Sequence, residues 1–92
     1  MPRPLSPRHV GLRPVVTYFK PAGVPLRKLA EIILRPDEVE TIRLKNVQKL
    51  DQTSAAAKMK ISQSTFQRIL ARAHEKIATA IVRGKAIRIE KN

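Results

Sequence analysis

The sequence predicts a mainly α-helical fold: a helix-turn-helix three-helix core with a small β addition from the N-terminal segment and the C-terminal tail. Three observations predict it. Apolar residues recur at helical spacing through Phe66, Ile69, Leu70, Ala73, Ile77, Ala80 and Ile81. Asp51 and Ser62, both favourable N-caps, stand one residue ahead of two stretches of helical character. β-branched or alternating apolar runs are confined to short pieces at 15–19, 31–34 and 85–89.

Taken in order, residues 1–14 are a basic proline-rich arm. Its four prolines remove amide donors and turn their predecessors away from helix, so it is extended. Residues 15–35 are a short strand and turn segment. It holds a strand over Val15–Phe19, a turn at Lys20-Pro21-Ala22-Gly23, a single helical turn near Pro25–Leu29 and a second strand at Glu31–Leu34. Residues 36–92 are the helix-turn-helix domain with its tail. Pro36 suits the first helical position, and Asp37 and Glu38 complement the exposed amides of the first turn. That helix runs to Val47, with Val39, Ile42, Arg43, Asn46 and Leu50 along one face and Leu44 and Val47 widening it. The second helix spans Gln52–Met59, and the third runs from Gln63 to Val82, where Gly84 stops it. The tail Lys85–Ile89 alternates like a short edge strand, able to pair with 31–34 or with 15–19, in the same chain or in a partner.

Composition bounds the chemistry. Ninety-two residues suffice for one domain. There is no cysteine, and His9 and His74 are far apart with no matching carboxylates, so no metal or cofactor is expected. No apolar run could span a membrane and no signal peptide is apparent, which makes the cytoplasm the expected location. Nineteen Lys and Arg stand against seven acids, a net charge of +12, and such an excess in a short chain implies a polyanionic partner. The charges are segregated. Residues 1–30 hold Arg3, Arg8, Arg13, Lys20, Arg27 and Lys28 without an acid, and the stretch between Asp51 and Glu75 holds Lys58, Lys60, Arg68 and Arg72 without one. Acids gather instead at Glu31, Asp37, Glu38 and Glu40, leaving a positive face of the kind phosphate binding requires.

Residues 52–71 carry the helix-turn-helix pattern. Two crossing helices need a small residue where they touch, supplied by Ala56, and apolar residues to close the wedge, supplied by Ile61, Phe66 and Ile69. The turn position after Met59 favours glycine because its backbone tends to be left-handed; Lys60 there costs on the order of 1 kcal/mol. Opposite the apolar stripe, the third helix presents Ser64, Gln67, Arg68, Ala71 and Arg72, with Gln63 at its N-terminal edge. A recognition helix touches base edges with its N-terminal residues, so Gln63, Ser64, Gln67 and Arg68 are the base-contact candidates. An arginine bonds guanine at two atoms and a glutamine does the same for adenine. Lys58, Lys60, Ser62, Thr65 and Arg72 are candidates for phosphate contacts, joined by Arg3, Arg8 and Arg13 on the arm. Ser62 is a cap first, Phe66 is core, Tyr18 and Phe19 are strand and core residues, and His74 is a packing or surface histidine.

Several segments carry a resemblance: Met1-Pro2-Arg3-Pro4, Val16 through Leu26, Asp37-Glu38-Val39-Glu40, Ser62 through Leu70, and Gly84 through Ile89. Over nearly its whole length the chain resembles an uncharacterised family of small prokaryotic proteins regarded as DNA-binding. Their helix-turn-helix is similar to that of region 4 of bacterial sigma factors. The resemblance implies DNA binding without implying a regulon. The chain departs from the family at Lys60, where glycine is usual, and at Asp51, where serine is usual. It also lacks the arm cysteines and the fused cofactor-binding domain of some members.

These observations lead to one expectation: sequence-specific binding of double-stranded DNA by a transcriptional regulator without catalytic activity, acting as a homodimer or higher homo-oligomer. The long third helix and the tail are the surfaces for self-association. Two rivals remain, an RNA-binding or ribosome-associated basic protein and a helix-turn-helix used to bind another protein.

Overall fold

The computed structural model describes residues 9–11 and 16–91. Arg3, Arg8 and Arg13, and the start of the first expected strand at Val15, lie outside the described residues. The element order is β1 (Tyr18–Phe19), a 3₁₀ turn (Leu26–Lys28), β2 (Glu31–Leu34), α1 (Pro36–Ile42) continued by a π-helical turn (Arg43–Val47), α2 (Gln52–Lys58), α3 (Gln63–Arg83) and β3 (Ala86–Ile89). The fold is mainly α with a small sheet, as the sequence predicts.

Each helix begins where its local chemistry dictates. Pro36 occupies the start of α1, and the Arg35 amide donates to Glu38 Oε1 at 2.8 Å. Asp51 Oδ1 accepts the Ser54 amide at 2.8 Å, and Ser62 Oγ accepts the Thr65 amide at 3.1 Å. α3 stops at Gly84, whose φ of 67° is left-handed and whose amide returns to the Ala80 carbonyl.

The sheet has the order β1-β3-β2, with β3 antiparallel to β1 and parallel to β2. This corrects the tail from an edge strand to the central one, bonded on both sides within the same chain. A parallel pair needs a long crossover, and the helices between β2 and β3 provide it. Short hydrogen bonds extend the pairing, from Ala86 N to Ala30 O at 2.9 Å, Ile89 N to Thr17 O at 2.8 Å and Glu90 N to Leu34 O at 2.8 Å. Tyr18 Oη donates to Glu31 at 2.8 Å and Arg88 Nε donates to it at 3.0 Å, so one carboxylate ties all three strands together. The Tyr18 hydroxyl and Arg88 hold the Glu31 carboxyl below its ordinary range, and the same carboxylate raises the Tyr18 phenol.

The core joins α1, α2 and α3. Leu44, Ala55, Ala56, Met59 and Phe66 are buried together, with Leu50, Ile61 and Leu70 packed against them. Ile69, Ala73 and Ala80 continue the buried side of α3. Three expectations are corrected at its margins. Ile81 is 72% exposed, turned about 100° around the helix from the buried Ala80 onto the outward side. Phe19 is a strand residue but half exposed, so it is not core. Val47 is exposed because it ends a π-helical turn, closed from Gln48 N to Arg43 O at 2.9 Å. The extra residue swings Val47 outward, while Leu50 packs against the core as expected of its face.

The inward face of α1 is also more polar than its periodicity suggests. Asp37, Glu38, Glu40 and Thr41 are buried, while Val39 and Ile42 are half buried. For Glu38 and Glu40 charge pairing makes this tolerable, and the Thr41 hydroxyl donates to the Glu38 carbonyl at 2.7 Å. Glu38 Oε1 receives Lys76 Nζ of α3 at 2.9 Å, and its other oxygen lies 3.9 Å from Arg72. Glu40 accepts two bonds from Arg43, at 2.8 and 2.7 Å, and the Gly11 amide at 3.0 Å.

Candidate nucleic-acid interface

α2 and α3 are joined by the turn Met59–Ser62. Met59 is buried, and the Ile61 amide returns to the Ala56 carbonyl at 3.1 Å. Lys60 between them has a φ of 59°, the left-handed conformation that the sequence anticipates at this position. The start of α2 is fixed beside the start of α3, since Gln52 Nε2 donates to the Gln63 carbonyl at 3.3 Å.

The first two turns of α3 bring Gln63, Ser64, Gln67 and Arg68 onto one exposed flank. Among the described residues the side chains of Gln63, Gln67 and Arg68 have no hydrogen-bond or ion-pair partner, so their donors face solvent. The hydroxyls are committed to one another. Ser62 Oγ donates to Thr65 Oγ1 at 2.9 Å and lies 3.2 Å from Ser64 Oγ, which makes Ser62 a cap and Thr65 part of the same cluster. Lys58 at the end of α2 and Lys60 in the turn are exposed and unpaired among the described residues. Arg72 is different. It is half exposed but stands 3.9 Å from the buried Glu38 carboxylate, so it serves the α1–α3 contact as well as facing outward. Ala71, exposed between Arg68 and Arg72, leaves this flank free of bulk.

Burial of the acids sharpens the electrostatics. Asp37, Glu38 and Glu40 do not form a second, negative face; they are inside. The exposed acids are Glu31, Asp51, Glu75 and Glu90, and the outer surface is therefore more positive than the formal balance of charges. His74 is exposed and its Nε2 lies 2.8 Å from Asn46 Oδ1, a surface contact between α3 and the end of the π turn.

Two features are missing from the sequence expectation. Lys49 is also left-handed, with a φ of 63°, and exposed. Its signal is in the chain: Lys49-Leu50-Asp51-Gln52 repeats as Lys60-Ile61-Ser62-Gln63. The second is the root of the arm. The His9 amide donates to the Met59 carbonyl at 3.2 Å and the Gly11 amide to Glu40, which pins 9–11 beside the α2–α3 turn. A segment with no periodicity gives no sequence signal for such docking.

The Asp51 cap has a pH signature. Donation from the Ser54 amide and hydroxyl holds its carboxyl below the ordinary aspartate range. A depressed carboxyl contributes stability that is present above its unfolded value, about pH 3.9, and lost as the pH falls through the lower folded value. Wild type should therefore lose more stability than Asp51→Asn as acid passes below about pH 4. Thermal midpoints of the two proteins across that range check this; parallel curves would refute it.

A family profile described as "Protein of unknown function DUF134" matches residues 1–92. The chain belongs to the DUF134 family. Curated relatives include UPF0251 proteins from Moorella thermoacetica, Caldanaerobacter subterraneus and Thermoanaerobacter pseudethanolicus. They are 54%, 53% and 51% identical over 90 residues, in each case 98% of this chain. The chain spans 60% of the Moorella protein and 76% of each of the other two. No solved structure matches it. Among the described residues this DUF134 chain gathers no group of His, Cys, Asp and Glu able to hold a metal ion, and no helix is long and apolar enough to cross a membrane.

Proposed function

We propose that this DUF134 protein binds double-stranded DNA in a sequence-specific manner and regulates transcription, with α2 and α3 acting as a helix-turn-helix. One observation carries the proposal: the exposed flank of Gln63, Gln67 and Arg68, unpartnered among the described residues, at the N-terminal end of a helix packed against a second short helix. Base-reading helices use that end, and an arginine and two glutamines are the side chains best shaped for bidentate bonds to purines. Ser64 completes the flank. Lys58 and Lys60 contact phosphates, Arg72 does so at the cost of its 3.9 Å ion-pair contact with Glu38, and Ser62 and Thr65 act mainly by holding the helix start. Arg3, Arg8 and Arg13, which lie outside the described residues, add phosphate or minor-groove contacts.

Two copies acting together fit this role, since a dimer presents two such helices to major-groove faces about 34 Å apart. Ile81 and Val82, 72% and 82% exposed, lie at the opposite end of α3 from the reading flank and suit that contact. Selection from a random duplex pool, followed by sequencing, tests the proposal. A palindromic motif is expected. Enrichment of nothing, with tight binding to structured RNA, would transfer the charge argument to RNA.

Phosphate and base contacts separate in salt titrations. Lys58→Ala should weaken every duplex alike and reduce the slope of log affinity against log salt by about one. An unchanged slope would remove Lys58 from the interface.

A further inference from the structure

The repeated string Lys49-Leu50-Asp51-Gln52 and Lys60-Ile61-Ser62-Gln63 is also a repeated structure. Each lysine follows the end of a helix and is left-handed, with φ of 63° and 59°. Each following apolar residue, Leu50 or Ile61, turns back into the core and donates its amide to the helix just ended, to Leu44 O at 3.0 Å and Ala56 O at 3.1 Å. Each cap then opens a helix by accepting the amide three residues on, at 2.8 Å for Asp51 and 3.1 Å for Ser62. The helix-ending turn and the helix-starting cap are thus fused in one four-residue unit, used twice.

Lysine is a poor choice for the left-handed position. Its Cβ crowds the following carbonyl, and glycine or asparagine fits there without strain. Neither lysine gains a compensating contact, since among the described residues neither ammonium has a hydrogen-bond or ion-pair partner. Both are exposed. Strain at an exposed site without structural return is the mark of a position kept for what it touches outside the molecule. Location agrees. Gln52 reaches the Gln63 carbonyl at 3.3 Å, so the lead-ins to α2 and α3 lie on the same side of the pair.

Resting on the DNA-binding proposal above, we propose that Lys49 is a second phosphate-binding lysine, matched to Lys60. The two grip the DNA backbone from the lead-ins to α2 and α3, on the same side of the pair, each at the expense of folding stability. The ligand class is a backbone phosphate diester, bound by the ammonium alone, because the Asp51 carboxylate already occupies the start of α2.

Glycine variants test this with two readouts of opposite sign. Lys49→Gly and Lys60→Gly should each raise the thermal midpoint by a few degrees by relieving strain. Each should also weaken binding to a random-sequence 20-base-pair duplex by about threefold to tenfold at roughly 0.1 M salt and reduce the salt slope by about one, the double variant by about two. Lys49→Arg should keep the slope without raising the midpoint. Arg83→Ala, about 30 Å along α3 from Gln63, is the control for bulk charge and should leave the slope unchanged. A Lys49→Gly protein that binds like wild type would overturn the proposal while leaving the DNA-binding role intact. Equal losses from Arg83→Ala, or glycine variants with no rise in midpoint, would overturn it as well. Wild type that fails to bind duplex DNA at all would remove both together.

Discussion

Replacing Glu38 by alanine should cost about 3–5 kcal/mol of folding stability, the largest single effect expected outside the apolar core. The carboxylate is fully buried and joins three elements. It accepts the Arg35 amide at the start of α1 and Lys76 Nζ of α3 at 2.9 Å, while Lys76 also donates to the Ile33 carbonyl of β2 at 2.8 Å. Alanine would leave the Lys76 ammonium, itself mostly buried, without its anion and the first turn of α1 without its reciprocal cap. The Arg72 guanidinium would lose its acidic neighbour too. Glu38→Gln keeps the shape and one acceptor, so its loss should be smaller.

The ion pair as a whole is a different quantity from its breakage. Removing both charges with apolar residues of similar volume, as in Glu38→Leu with Lys76→Met, should recover much of the loss, since desolvation of two ions is avoided. Urea unfolding of the two single variants and the double variant closes the cycle. Single variants within 1 kcal/mol of wild type would show that water reaches this cluster and that α1 is held by apolar contacts alone.

What the sequence made legible was local. Capping residues, the proline at the start of α1 and the left-handed Gly84 each act within a turn of chain, and their positions agree with the structure to within a residue or two. Phe66 and Ile69 were legible for a related reason, because a helix 21 residues long repeats its buried side often enough to be unambiguous, and Ala56 because two crossing helices need a small residue where they touch. The errors are non-local. Nothing in Lys85–Ile89 states that both of its edges will be taken, since that depends on where β1 and β2 arrive. The burial of Glu38 and Glu40 depends on Lys76 and on Arg43 and Gly11, and an acidic first turn reads equally well as solvated. The π turn moved Val47 outward by a one-residue offset, a change too small for periodicity to register, while Leu50 kept its expected inward place. At the candidate interface the exposed flank of α3 was readable from the helical wheel. The strain at Lys49 was readable only by matching its string to that of Lys60.

Arg68→Ala should leave folding unchanged and cost about 1–3 kcal/mol in affinity for a selected duplex, roughly 5-fold to 150-fold. Folding is spared because the guanidinium is exposed and has no partner among the described residues, and alanine is the best helix former. The loss must therefore come from the complex. It should be concentrated at one base pair: duplexes altered there bind wild type poorly and the variant no worse than the selected site. Arg68→Lys separates charge from geometry. Lysine keeps the positive charge and hence the salt slope, but it cannot present two parallel N–H donors to a guanine edge, so discrimination should fall while non-specific affinity holds. Gln67→Ala, one helical residue away, should relax a neighbouring base pair instead. If Arg68→Ala weakens selected and random duplexes by the same factor and lowers the salt slope, Arg68 is a phosphate contact and base reading passes to Gln63 and Gln67. If it changes neither, α3 does not lie in the groove by this flank, and the helix pair is better understood as a surface for another protein.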